Sequence, residues 1–257
     1  MSVHKPHPRT FRMFVGEKYS GEKGSNDYVT AKGFADNPEL YVRSFNLIQD
    51  EVKKLFEYVE PADKNMATYS MQIYNLFFRI CVEIEANFKA ILRENIYGKN
   101  PLWWNMEDYQ KVNKTHHLSS FTVTFPVWNG EKNVFVPYAD WKEGSGKLTW
   151  YDIYNNCKHN RYQHMQEANF GTMLNAFAGL FVILSAQFGR HDFEPGNIRL
   201  CVSCDDDSFY QGVFGIGDYL MFTEPTDWTD DERYDFDWRV LKQETDRFVK
   251  FDYNALK

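Results

Sequence analysis

Apolar residues recur at steps of three and four over four long stretches of this 257-residue chain. From Asn37-Pro38, a cap followed by proline in the first turn, Tyr41, Phe45, Ile48, Val52, Leu55, Phe56 and Val59 share one helical face. The polar stretch 60–63 ends that pattern. A second and longer helix is predicted over 68–96, with Ile73, Phe77, Ile80, Ile84, Phe88 and Ile91 on one stripe. A third is predicted over 148–166, after Gly144-Ser145-Gly146. A fourth spans 169–188, where Phe170, Leu174, Phe177, Phe181, Leu184 and Phe188 carry the stripe while Ala176, Ala178 and Gly179 permit close approach. This last helix is the most apolar and belongs at the centre, packed on the 68–96 helix with Phe77, Ile84, Phe177 and Phe181 buried between them.

Between the helices the period changes. Residues 119–138 form two β-rich runs around Asn129-Gly130, a dipeptide that readily supplies the positive φ values of a hairpin turn. Residues 97–115, rich in Trp, Asn and Tyr, read as irregular, and residues 1–37 as an N-terminal arm. Beyond the break at "FGRHDFEPGN", short strands are expected at 197–203, 208–215 and 218–223, then a polar helix near 237–249. A helix with one oily face must bury it against others, so the expected fold is mainly α. It consists of a four-helix bundle at 38–190 with a β-hairpin insertion at 119–138, and a small α+β extension at 191–257.

Composition refines this picture. Aromatic residues make up 18% of the chain, ample material for a packed interior. No apolar run reaches the roughly 18–20 residues of a membrane span, since Asn175, Ser185 and Gln187 interrupt the 170–188 stretch. The opening residues lack the apolar core of a secretory signal, and Cys81 and Cys157 sit within helical patterns as buried thiols do. The expectation is a cytoplasmic protein with no membrane contact. Residues 201–257 carry 14 acidic and 6 basic side chains, a balance of −8 that leaves the rest of the chain near neutral. Binding to nucleic acid would therefore need a local basic site.

One such site is visible. Residues 154–164, "YNNCKHNRYQH", place three asparagines, two histidines, a lysine and an arginine directly before the most apolar helix. On a continuous helix Lys158 and Arg161 share a face, Asn155 and His159 lie beside it, and Asn160 and His164 are one turn apart. A second oddity is Arg79 with Glu83, one turn apart in the otherwise oily 68–96 helix, where a buried charge is costly unless paired. Two arrangements are open: a local Arg79–Glu83 pair on a half-buried face, or a polar pocket shared with the 155–164 segment.

An "R-x-x-x-E" helix followed by a helix carrying "YNNCKHNR" ahead of "FGTMLNAFAGLFVIL" resembles the HEPN superfamily, helical proteins of prokaryotic defence and toxin–antitoxin systems. The resemblance covers residues 40–190. It implies an RNA-binding protein or a metal-independent endoribonuclease needing no cofactor, acting as a homodimer in which two such segments meet. Carried onto this chain, His159, Arg161 and His164 are the catalytic candidates, and Lys158, Asn155, Asn160, Arg79 and Glu83 the substrate-binding ones. The family's "R-x(4–6)-H" spacing is not present: Arg161 and His164 are separated by two residues, and the nearest analogue is the reversed "KHNR". The chemistry fits nonetheless, because a histidine can move the 2′-hydroxyl proton while Arg and Lys neutralise charge on phosphate. The alternative is a non-catalytic interaction or regulatory module with a structural polar core, paired with a protein from a neighbouring gene.

Other signals are weaker. Cys201-x-x-Cys204 is one pair without a second, so a zinc site would have to recruit histidines such as His116, His117 or His191. Asp205–Asp207 fits either a divalent-ion site or, more simply, a solvated turn, and "GVFGIGD" at 212–218 lacks the Lys-Ser/Thr of a phosphate loop.

Overall fold

The computed structural model describes residues 3–16, 25–144, 146–193 and 213–256. Within them the chain is mainly α, with a small antiparallel sheet. Helix α1 spans Pro38–Leu55 and α2 spans Met71–Glu94, the latter capped by Ser70, whose Oγ accepts from Ile73 N at 3.2 Å. Helix α6, Phe170–Phe188, begins at Asn169, which caps Thr172 N through Oδ1 at 3.0 Å. The main helix pair is α2 on α6, with α1 packed beside α2. Phe77, Ile84, Phe177 and Phe181 are all completely buried, and Phe45 of α1 stacks on Phe177 with ring centroids 5.4 Å apart. Helix α6 is the one helix among the described residues long and apolar enough to cross a membrane, and it is enclosed by the rest of the protein.

Strands β1 (Thr122–Thr124) and β2 (Val134–Phe135) form the expected hairpin, pairing Val123 with Phe135. The tip is wider than a two-residue turn, and it is held from outside. The Asp63 carboxylate accepts from Trp128 Nε1 at 2.7 Å and from the amides of Glu131 and Lys132 at 3.0 Å each. Gly130, at φ +137°, lies so close to Asp63 that a Cβ there would meet its Cγ at 2.4 Å. Strand β4 (Met221–Thr223) pairs with the other edge of β1, and β3 (Val213–Phe214) with β4, giving the order β2-β1-β4-β3. The C-terminal strands thus complete the hairpin's sheet.

The structure corrects several expectations. The stretch 97–115 contains helix α3, Met106–His116, closed at its start by a capping box between Asn105 and Asp108. Its apolar stripe is too sparse to read as periodic, and the cap makes the helix. The N-terminal residues do not hang as an arm. Val3 and Phe14 bridge to Tyr234, Phe11 N donates to Ala186 O at 3.0 Å, and Arg9 is fully buried. The polar helix expected at 237–249 is a single turn, α7, Trp238–Leu241, followed by turns and extended chain that bonds to residues 6 and 95–96. The third expected helix is split into α4, Thr149–His159, and α5, Arg161–His164, because Asn160 leaves helical backbone at φ −146°, ψ 75°. The expected strand 197–203 and most of 208–215, with Cys201, Cys204 and Asp205–Asp207, lie outside the described residues.

Candidate functional site

Helix α4 buries one face and exposes the other. Trp150, Tyr154 and Cys157, at steps of four and three, are buried; Trp150 Nε1 donates to Pro137 O at 2.8 Å, and Tyr154 meets Phe78 of α2 edge-on at 5.0 Å between centroids. Tyr151 OH donates to Glu85 at 2.9 Å. These contacts fix α4 on α2 and leave Asp152, Asn156, Lys158 and His159 facing solvent, with Asn155 half-buried.

The break at Asn160 then turns the chain outward. Its amide still closes α4 on Asn156 O at 2.8 Å, and its side chain donates to Gln163 Oε1 at 2.8 Å, pinning the short α5. The Cys157 thiol donates to His164 O at 3.2 Å, a second tie between the two helices. Lys158, His159, Asn160, Arg161, Tyr162 and Gln163 are all exposed, and the Tyr162 ring is 97% exposed. Among the described residues no acidic side chain pairs with Lys158 or Arg161; Lys158 Nζ instead sits 5.7 Å over the Tyr154 ring. His164 is half-buried, and its Nδ1 lies 2.7 Å from Glu167 Oε1. Burial pushes the Cys157 thiol above its ordinary range, which disfavours the thiolate.

Of the residues Asn155, Lys158, His159, Asn160, Arg161 and His164 singled out in the sequence, Lys158, His159, Asn160 and Arg161 lie exposed in a knob between α4 and α6, while Asn155 and His164 are half-buried. Arg79 and Glu83, expected at the same place, are elsewhere. Tyr74, Phe78, Cys81 and Glu85 form the α2 stripe turned toward α4, whereas Arg79 pairs with Glu51 of α1 and Glu83 lines a cleft between α1 and α2. An offset of one or two residues, roughly 100–200° around the helix, decides this: residues 79 and 83 fall on the α1 side. No bond joins Arg79 to Glu83 either, among the described residues. In place of the local pair and the shared pocket, Arg79 is tied to α1 and Glu83 faces the α1–α2 cleft.

The richest polar network lies apart from the knob and went unread in the sequence. Arg9, at φ +55°, donates through Nε to Glu94 Oε1 at 2.6 Å, through Nη1 to Gln187 Oε1 at 3.0 Å and through Nη2 to Asp36 O at 2.6 Å. Gln187 Nε2 continues to Asn87 Oδ1 at 2.9 Å. Burial raises Glu94 from its ordinary value, against the pull of the Arg9 charge. Every polar group of Arg9 is used, so this network is structural. The same holds for His116, fully buried with Nε2 2.8 Å from Arg9 O and Nδ1 2.7 Å from Thr115 Oγ1; burial lowers its pKa to about 3.

Among the described residues no group of three or more His, Cys, Asp or Glu side chains is arranged to hold a metal ion. Compared with known protein families, curated proteins and solved structures, the chain matches none.

Proposed function

We propose that the protein binds RNA through the α4–α5 knob, as an HEPN-like helical module of a prokaryotic defence or toxin–antitoxin system. The observation that carries this reading is the Tyr162 ring, almost wholly in solvent and following Arg161, with Lys158 and His159 exposed one turn earlier. An aromatic face without a protein partner beside unpaired cations is what stacking on a base and contact with phosphate require. Leaving such a ring in water has no packing benefit for the fold.

Binding is favoured over cleavage within one chain. Of the three catalytic candidates, His164 is engaged by Glu167, which leaves His159 without a second acid or base facing it. A homodimer joining two knobs would supply the missing partner and turn a projecting surface into a groove. The cytoplasm, where RNA is found, is the matching compartment. Titration of labelled single-stranded RNA against wild type and the Tyr162→Ala and Arg161→Ala variants tests the reading.

A further inference from the structure

Helices α1 and α2 run antiparallel, tied at one end by Arg79 with Glu51 and at the other by Asp36 N donating to Glu94 Oε2 at 3.0 Å. Between these ties they part around a cleft of about 520 Å³. That is within the usual range of small-molecule sites, roughly 300–1,000 Å³. Glu83 and Ser44 line it toward one end, Asp36 the other, with Leu40 and Tyr41 between and Arg93 beside them.

Two lining groups are engaged by Arg9, the Glu94 carboxylate and the Tyr41 ring, whose centroid lies 4.5 Å from the guanidinium; the other side chains of this cleft are uncommitted. Those of Asp36, Ser44, Glu83 and Arg93, and the Tyr41 hydroxyl, make no hydrogen bond or ion pair with another described residue. This contrasts with Glu94 at the cleft wall, which is bonded to the buried Arg9 and through it linked to Gln187 and Asn87, so the Arg9 charge is compensated by Glu94. Leu40 is 57% exposed on the cleft's apolar middle. The unpaired carboxylates of Glu83 and Asp36 stand at opposite ends. Residues 83 and 94, which mark those ends on α2, are separated by about 16 Å of helix at 1.5 Å per residue. A single metal ion cannot reach both. Arg93 is exposed and leaves the carboxylates in excess.

We propose that this cleft binds a linear alkyl polyamine, with one ammonium at Glu83 and Ser44, the other at Asp36, and the methylene chain across Leu40 and Tyr41. An ammonium offers three donors to a carboxylate and a hydroxyl, and the chain covers apolar surface that is otherwise wet. The site is separate from the α4–α5 knob and does not depend on the RNA reading.

Calorimetric titration of the full chain with spermine, and with diaminobutane and diaminodecane as probes of equal charge and different length, tests the proposal. Saturable one-site binding is expected, tighter for diaminodecane than for diaminobutane, and weakened about tenfold or more by Glu83→Gln or Asp36→Asn. Asp230→Asn, in the acidic C-terminal region, is expected to leave binding unchanged. Both carboxylate variants are near-isosteric and on the surface, and thermal unfolding without ligand checks that they fold. Absence of saturable binding, or binding equal in wild type, Glu83→Gln and Asp36→Asn, overturns the proposal, the second result marking simple attraction to a chain of net charge −7.

Discussion

The Arg9 guanidinium is fully buried and meets Glu94 at 2.6 Å, eighty-five residues further along the chain. This contact fastens the N-terminal segment to the end of α2, and Gln187 extends it to α6. Breaking a buried pair by removing one partner leaves an uncompensated charge, so Arg9→Ala is expected to destabilise by about 3–5 kcal/mol. Glu94→Ala should fall in the same range, and the double variant should cost less than the sum. Urea unfolding of the three proteins checks this.

Phe181 lies at the centre of the core, against Phe45 of α1 and Phe222 of β4. Truncation to alanine should cost about 3–5 kcal/mol. Beside Phe222, a Cβ on Gly215 would meet Phe181 Cζ at 2.4 Å. Gly215→Ala should therefore destabilise through overpacking, by about 1–3 kcal/mol. The same unfolding measurement reads both.

The long stripes on α1, α2 and α6 were legible because each buries one continuous face, and a period of 3.6 residues survives in sequence. Helix α3 was not, because its capping box and its burial of Tyr109 and Val112 leave too few apolar positions to mark a period. Lys158, His159 and Arg161 were found by residue type alone. The break at Asn160, which brings them outward, has no marker in the sequence: neither glycine nor proline stands there. Arg79 stands out in the sequence as a charge out of place, yet its partner Glu51 belongs to another helix, and long-range pairs leave no local pattern. Arg9, whose partners Glu94 and Gln187 are equally distant in the chain, is hidden for the same reason.

Acid should loosen the fold in two steps. His116 is buried neutral, its pKa lowered from 6.5 to about 3, so the unfolded chain binds the proton more readily. Stability is then lost as pH falls from about 6.5 toward 3. The second step involves His117, which lies between Asp227 at 3.0 Å and Glu232 at 3.2 Å. Burial opposes ionisation of both carboxylates. Ser120 and His117 nevertheless hold Asp227 below its ordinary 3.8, and Thr229 with His117 holds Glu232 below 4.5. A depressed carboxylate stabilises above its unfolded value, so that contribution disappears as pH drops below about 4.5 and through the lowered values. Melting temperature against pH should fall from pH 7 to 5 in wild type and less steeply in a folded His116→Gln variant.

Asp63 organises the hairpin tip through three hydrogen bonds, and Gly130 makes room for it. Asp63→Ala is expected to destabilise by about 1–3 kcal/mol, the cost of leaving such donors unpaired. Gly130→Ala should be no milder, because it adds a clash to a positive φ. The bonds of Asp63 go to Trp128, Glu131 and Lys132 and not to the α4–α5 knob, so RNA affinity should be retained in both.

RNA affinity of the knob is the central claim, and fluorescence anisotropy of labelled single-stranded RNA in EDTA measures it directly. Wild type is expected to bind saturably, with affinity falling as salt rises. Tyr162→Ala should lose about tenfold, in line with roughly 1–3 kcal/mol per stacked base, and Arg161→Ala a similar amount. Arg79→Ala, which removes the contact to Glu51 on the far face of α2, should bind as wild type does. The RNA should be recovered intact from a monomer; 2′,3′-cyclic phosphate ends abolished by His159→Ala would mark the dimeric, cleaving form of the same site. Absence of RNA binding in wild type, or binding that neither Tyr162→Ala nor Arg161→Ala weakens, would contradict the account.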